Sequence, residues 1–257
     1  MGWLNQFVEA LAWRNRGARI RPQYAWGVAM AAAQAKALGH GDVSVLEFGV
    51  AGGRGLLAMQ DIAAEISRRF QVRVHVAGFD TGTGLPAVGD PRDLPQLYSG
   101  GNYAMEQQAL QEKLDHATTS LVIGPIRETL GRFLATAPAV IGFVSVDVDL
   151  YSSTVDALSV FRGTAAITHC LPRVVVYLDD SMGLTFGDLT GERLAVAEYN
   201  AQSAPHRGIF PVYGLRYHIG WPHSRAQWPD MMYWAHFLDH PQTGASDGLS
   251  PVRHAPL

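Results

Sequence analysis

Two pairs of aspartates, Asp147-Val148-Asp149 and Asp179-Asp180, each follow an apolar, β-branched run. Carboxylates crowded at strand ends are costly unless a cation or hydrogen-bond donors compensate them. Adjacent strands lie about 4.8 Å apart, so if these two runs are neighbours the four carboxylates can converge on one ion. Hard oxygen donors without cysteine suit magnesium, with manganese and calcium as alternatives. The competing readings are helix capping by Asp149 or Ser152 and carboxylates that simply face solvent.

A second constellation is Glu47-Phe48-Gly49-Val50-Ala51-Gly52-Gly53-Arg54-Gly55, a glycine-rich turn between a strand pattern and a helix pattern. Glycines there let backbone approach a ligand and leave amides exposed at a helix N-terminus. Residues 53–58 satisfy the dinucleotide pattern G-x-G-x-x-A, and Asp80 follows at the distance of a ribose-binding acid. Glu47 with the order E-x-G-x-x-x-G fits equally a loop wrapped around S-adenosylmethionine, and a tight turn that binds nothing is the third possibility. Asp80 accepts ribose hydroxyls in either cofactor reading. Asp-x-Asp is also found in metal-dependent glycosyltransferases, although nothing else here fits those enzymes. A nicotinamide-dependent oxidoreductase would need a Tyr-x-x-x-Lys pair, which the chain lacks. A catalytically silent nucleoside-binding protein stands as the non-enzymatic alternative.

The elements that must position these residues follow from periodicity. Strand patterns cover 43–48, 72–79, 120–123, 140–146, 173–178, 209–212 and 231–237, and helix patterns cover 22–38, 55–70, 103–116, 127–136, 153–168 and 188–202. Their alternation predicts an α/β, Rossmann-like doubly wound sheet, mostly parallel, with a C-terminal antiparallel hairpin. Such sheets bind ligands beyond the carboxyl ends of their strands. With 257 residues and 47% apolar side chains the expectation is one domain spanning residues 1–257, with 1–40 as a helical extension. Apolar Trp3, Leu4, Phe7, Val8 and Leu11 precede the arginines of that extension, the reverse of a signal peptide, and suit core packing or a homodimer contact.

Composition excludes several classes. A formal charge of −3 offers no footprint for nucleic acid. No apolar run reaches a bilayer span of roughly 18 residues. The single Cys170 rules out an intrachain disulfide and a cysteine-cluster zinc site; with the reversed N-terminal charge order it leads us to expect a cytoplasmic protein. Only Lys36 and Lys113 are lysines, which leaves little room for lysine chemistry.

Leu46-Glu47-Phe48-Gly49-Val50, Phe79-Asp80 with Gly84-Leu85-Pro86, Asp147-x-Asp149-Leu150-Tyr151-x-Ser153-Thr154, Leu178-Asp179-Asp180 and Gly191-Glu192-x-x-Ala195-x-x-Glu198-Tyr199 together resemble the macrocin O-methyltransferase (TylF-type) family. The resemblance spans residues 43–240 and implies a class I methyltransferase fold. It implies S-adenosylmethionine and magnesium used to methylate a small-molecule hydroxyl, on a sugar or natural product. It points to Asp147, Asp179 and Asp180 as metal ligands. A similar ion placement occurs in catechol O-methyltransferase, whose lysine base has no counterpart at Leu150. The segments Arg21-Pro22-x-Tyr24-x-x-Gly27 and 91–103 differ from the sugar-modifying members. On this reading Glu47, Gly49, Val50, Gly52, Gly53, Asp80, Thr81 and Asp147 contact the cofactor and Ile126 flanks adenine. Asp149 is the first choice of base, with His218 or His236 second. Aromatic residues between Tyr213 and Trp234 are candidates for an acceptor lid.

Overall fold

The computed structural model describes residues 21–183, 187–219 and 225–244; the expectations on Trp3, Leu4, Phe7, Val8 and Leu11 lie outside the described residues. In chain order the elements are α1 (Pro22–Ala37), β1 (Asp42–Phe48), α2 (Arg54–Phe70), β2 (Arg73–Asp80), α3 (Gln107–Gln111), β3 (Thr119–Ile123), α4 (Ile126–Ala135), β4 (Ile141–Val146), α5 (Tyr151–Leu158), α6 (Ala165–His169), β5 (Cys170–Leu178), α7 (Gly191–Gln202), β6 (Arg207–Pro211) and β7 (Met232–Phe237). The seven strands form one sheet in the order β3-β2-β1-β4-β5-β7-β6. β1 to β5 are mutually parallel, while β7 runs antiparallel to both β5 and β6. The expected α/β sheet with a reversed C-terminal edge is therefore present. Strand order turns at β1 and β4, the switch point where the ends of neighbouring strands open a crevice.

Side-chain alternation along the strands builds two cores. Val43, Val45, Phe143 and Val175 face α1 and α2, whereas Leu46, Phe48, Val144, Val146 and Val176 face α4, α5 and α7. The Pro at the first turn of α1 starts a helix whose residues 24–32 are all buried. Gly27 permits its close seat on β4, since a Cβ there would stand 2.4 Å from the Phe143 ring.

Two expected helices differ. The 103–116 pattern yields only Gln107–Gln111, because Tyr103 takes φ +64° in the wall of the cavity described below. On the other side Asp115 accepts from the Ala117 amide and the Thr118 hydroxyl and closes a turn. The 153–168 pattern is interrupted at Gly163, φ +58°, which separates α5 and its 3-10 extension from α6.

Candidate functional site

One cavity of about 1150 Å³ opens at the carboxyl ends of β1, β2, β4 and β5, roomy by the standard of small-molecule sites. Its wall includes Glu47, Gly49, Val50, Gly52, Asp80, Thr81, Ile126, Asp147, Asp149, Asp179 and Asp180. Of the residues expected to contact a cofactor, only Gly53 stays behind it, capping α2 with φ +78°.

The turn after β1 is held from below. Asp80 Oδ2 accepts the amides of Val50 and Ala51, both at 2.9 Å, and Oδ1 accepts that of Gly82 at 2.7 Å. The carboxylate so serves first as the pin of the glycine turn, with lone pairs left for a ligand hydroxyl. Thr81 Oγ1 donates to the Gly84 carbonyl at 2.6 Å and shapes the next turn. Gly49, φ +87°, crosses the β1–β4 junction so closely that a Cβ would lie 1.7 Å from the Asp147 carbonyl oxygen. Ile126, at the start of α4, is almost fully buried against the cavity.

Glu47 is buried beneath this turn. The Tyr24 hydroxyl donates to its Oε1 at 2.7 Å, while Oε2 is buried without a hydrogen-bond partner. Tyr24 in turn accepts from Ser145 Oγ and from Arg21 Nη1, each at 3.1 Å. Burial pushes the Glu47 carboxyl up to about 8, against the opposing Tyr24 hydrogen bond and Arg21 charge.

The acidic cluster meets at adjacent strand ends, as Val146 of β4 is in register with Leu178 of β5. Asp149 has φ +60°, and the Leu150 amide reaches over it to the Val148 carbonyl at 2.6 Å. This tight turn, a conformation that asparagine and aspartate tolerate best, presents the carboxylate to the cavity. Burial raises the Asp149 pKa, a hydrogen bond with Tyr98 opposes the rise, and the charge of Asp179 adds to it. Burial and then Asp179 push Asp147 up to about 7, with Arg21 opposing. Burial and the other aspartates push Asp180 up to about 8.

Asp147, Asp179 and Asp180, the expected metal ligands, all line the cavity. Among the described residues no group of three or more His, Cys, Asp or Glu is arranged to hold a metal ion. Each carboxylate is turned to its own surroundings: Asp147 lies 3.5 Å from Arg21 Nη1, and Asp179 Oδ1 accepts the Tyr177 hydroxyl at 2.6 Å. Asp180 donates its amide to Glu192 Oε2 at 2.9 Å. Asp180 Oδ2 and Glu192 Oε1 are buried without hydrogen-bond partners, so the donor set holds oxygens that its neighbours leave unsatisfied. Its oxygen chemistry fits a hard cation.

Neither His218 nor His236 lines the cavity. β7 runs against β5, with Met232 opposite Tyr177 near the site and His236 opposite Arg173 towards the far end of the sheet. Tyr213, Tyr217, Trp228, Tyr233 and Trp234 also lie off the cavity wall; Trp221 is outside the described residues. The roof comes instead from the segment after β2, through Leu85, Pro86, Ala87, Gly89, Asp90, Asp93 and Tyr103.

Sequence reasoning gave Arg92 and Asp93 no role. Buried Asp93 accepts the Ser152 amide at 2.8 Å and its hydroxyl at 3.0 Å, capping α5 from a distant part of the chain. Arg92 pairs with Asp90 and donates to the Tyr151 hydroxyl at 2.8 Å, and that hydroxyl donates to Glu198 at 2.5 Å. Together they fasten the roof to α5. Loss of a helix N-cap costs about 0.5–2 kcal/mol. Asp93→Ala is accordingly expected to lower the thermal midpoint by roughly 2–8 °C and to speed amide hydrogen exchange at Leu85 and Gly101, which bond across the roof. Unchanged exchange there would show that the roof is held elsewhere.

No family model and no curated protein matches the chain. Among solved structures, CalS11, a calicheamicin methyltransferase, aligns over 91% of each chain with a TM-score of 0.57 and 22% identity. The SAH-bound Podospora anserina methyltransferase PaMTH1 aligns over 91% of this chain and 86% of its own, with a TM-score of 0.44 and 13% identity. The Bacillus cereus O-methyltransferase in complex with SAH aligns over 91% and 90%, with a TM-score of 0.43 and 10% identity. The similarity to CalS11 shows that this chain shares the Rossmann-like fold of that methyltransferase.

Proposed function

We propose that the protein transfers a methyl group from S-adenosylmethionine to a hydroxyl of a small molecule, a sugar or a natural product. The observation that carries this reading is the cavity where the glycine turn, the acid ending β2 and the acids ending β4 and β5 meet. The shared fold with CalS11 supports it. Bound there, the cofactor supplies an electrophilic methyl carbon on a sulfonium. Gly49, Val50 and Gly52 would form the backbone wall along its methionine part, Asp80 and Thr81 would meet the ribose, and Ile126 would cover one face of adenine.

Asp149 is the residue that would take the acceptor's proton, and methyl transfer would leave a methyl ether and S-adenosylhomocysteine. A carboxylate with a raised pKa suits that task near neutral pH. Asp147, Asp179 and Asp180 are the residues that would hold a divalent cation, whose charge would acidify the acceptor hydroxyl. The Arg92–Asp93 fastening keeps the roof over the acceptor.

Calorimetric titration of EDTA-treated protein with S-adenosylhomocysteine, with and without magnesium, tests both parts. Micromolar cofactor binding is expected, together with a magnesium signal that Asp179→Ala/Asp180→Ala abolishes. Absence of cofactor binding under every metal condition would sink the methyltransferase reading; binding without any magnesium signal would remove the cation alone.

A further inference from the structure

Among the described residues eight large apolar side chains are more than a third exposed. Six of them, Leu97, Tyr103, Met182, Leu189, Tyr213 and Tyr217, lie in the segments that follow β2, β5 and β6. β6 runs in the direction of β5, because both are antiparallel to β7, so all three segments leave the sheet at its cavity end. Two of the segments meet there. The Tyr233 hydroxyl is bonded to Ser181 and lies within electrostatic reach of Tyr213, which brings the neighbourhood of Met182 to that of Tyr213. Tyr213 and Tyr217 are each 83% exposed and Leu189 is 79% exposed. Apolar side chains scattered singly over a surface are ordinary, but their concentration at one end of the fold marks a contact surface.

The second observation is charge. Nine carboxylates and three arginines line the cavity beneath this rim. A segment that complements this end of the molecule is apolar in one part and cationic in another.

Residues 1–20 lie outside the described residues, and their sequence has that make-up. Trp3, Leu4, Phe7, Val8 and Leu11 repeat at helical spacing, and Arg14, Arg16 and Arg19 follow with no acid among residues 12–20. The attachment point fits as well, since Arg21 lines the cavity and stands 3.5 Å from Asp147. In the sheet order β6 is three strands from β4, about 14 Å at the usual strand spacing. The nine residues that separate Leu11 from Arg21 cover about 14 Å as a helix and about 30 Å when extended. A tether of that length holds the segment near the rim at an effective concentration on the order of millimolar, which favours the same chain over a second copy.

We propose that residues 1–20 dock on this rim of their own chain, with Trp3, Leu4, Phe7, Val8 and Leu11 against Met182, Leu189, Tyr213 and Tyr217. Arg14, Arg16 and Arg19 then fall towards the acidic mouth. Seated there, the segment shields the cavity from water, which strengthens the charge interactions inside it. The docking is independent of the reaction assigned to the site.

Amide hydrogen exchange of the full chain without ligand tests it, on the wild type, Phe7→Asp/Leu11→Asp and Tyr213→Ser/Tyr217→Ser. The amides of Val212, Tyr213, Leu215, Tyr217 and His218 are hydrogen-bonded and so report on the rim. Phe7→Asp/Leu11→Asp is expected to speed their exchange at least about tenfold, the effect of about 1.4 kcal/mol from one lost apolar contact. Amides of β1 and β2 should keep the wild-type rate. Tyr213→Ser/Tyr217→Ser should in turn speed exchange within residues 3–11, and wild-type protection should be the same at low and high protein concentration. Unchanged exchange at the rim would overturn the proposal. Equal acceleration in β1 and β2 would do so too, by showing that residues 1–20 belong to the core, as would rim protection found only at high concentration, the mark of a second copy. The expected exchange pattern in a protein that binds no S-adenosylhomocysteine would fault the methyl-transfer reading alone.

Discussion

Gly49→Ala is expected to cost at least about 4 kcal/mol, a size reached only when backbone itself is displaced. The added Cβ would sit 1.7 Å from the Asp147 carbonyl oxygen and 2.6 Å from its carbon. Neither atom can move aside as a side chain would. The Asp147 amide is bonded to the Phe48 carbonyl at 2.8 Å, and the Gly49 amide to the Phe79 carbonyl at 2.9 Å. The φ of +87° adds strain that alanine cannot relax. For a domain of this size 4 kcal/mol corresponds to a fall in thermal midpoint of roughly 8–16 °C. Gly52→Ala supplies the contrast, because nothing lies within 4 Å of where its methyl group would stand and its φ is not left-handed. It should keep the wild-type midpoint within about 2 °C yet lose cofactor affinity, if the backbone there runs against the methionine part. A Gly49→Ala protein as stable as the wild type would show that the β1–β4 junction opens without cost.

The second large effect concerns pH. Burial raises Glu47 from 4.5 to about 8, so between those values the folded state keeps a proton that the unfolded chain has released. The contribution is complete below the unfolded pKa and is lost as pH rises towards 8, at no more than about 1.4 kcal/mol per unit. Asp147 and Asp180, raised to about 7 and about 8, slope the same way. Glu47→Gln removes the Glu47 slope and keeps the Asp147 and Asp180 carboxylates in place, so the difference between the two profiles is dominated by Glu47. Between pH 5 and pH 8 the wild type should lose on the order of 2–3 kcal/mol more unfolding free energy than the variant, measured by urea denaturation without ligand. Parallel pH profiles would mean that Glu47 is ionised in the folded protein near neutrality.

Much of the fold was legible because its causes are local. The parallel strands are apolar on both faces and bounded by glycine, proline and polar residues, so their positions emerged within two or three residues. The reversed edge was legible because no helix pattern separates the last two strands. The helix patterns at 103–116 and 153–168 misled because periodicity registers what a segment can do alone. Tyr103 was drawn into the cavity wall, and Gly163 broke a stretch that remains apolar on both sides.

The site divides in the same way. Glu47, Asp80, Asp149 and the aspartates at 147, 179 and 180 were identifiable because acids at the carboxyl ends of buried strands have the switch-point crevice to occupy. Their partners were not. Arg21 and Tyr24 precede β1 by about twenty residues and reach the site only because α1 packs across β4 and β5. Glu192 had a place in a motif but no visible task until α7 brought it under Asp180. Asp93 meets Ser152 across 59 residues. His218 and His236 looked suitable by residue type, and the direction of β7 takes His236 to the far end of the sheet.

By itself the sequence determined the α/β sheet, the glycine turn and the row of acids at the strand ends. Those features depend on alternation, backbone freedom and the position of charge along a strand, all of which are written in neighbouring residues. Only the tertiary structure decided what each acid faces: a guanidinium for Asp147, a phenol for Asp179, backbone amides for Asp80, and no donor for one oxygen each of Glu47 and Asp180. The reason is that burial and pairing are properties of packed elements, set by helices that reach the sheet from far along the chain.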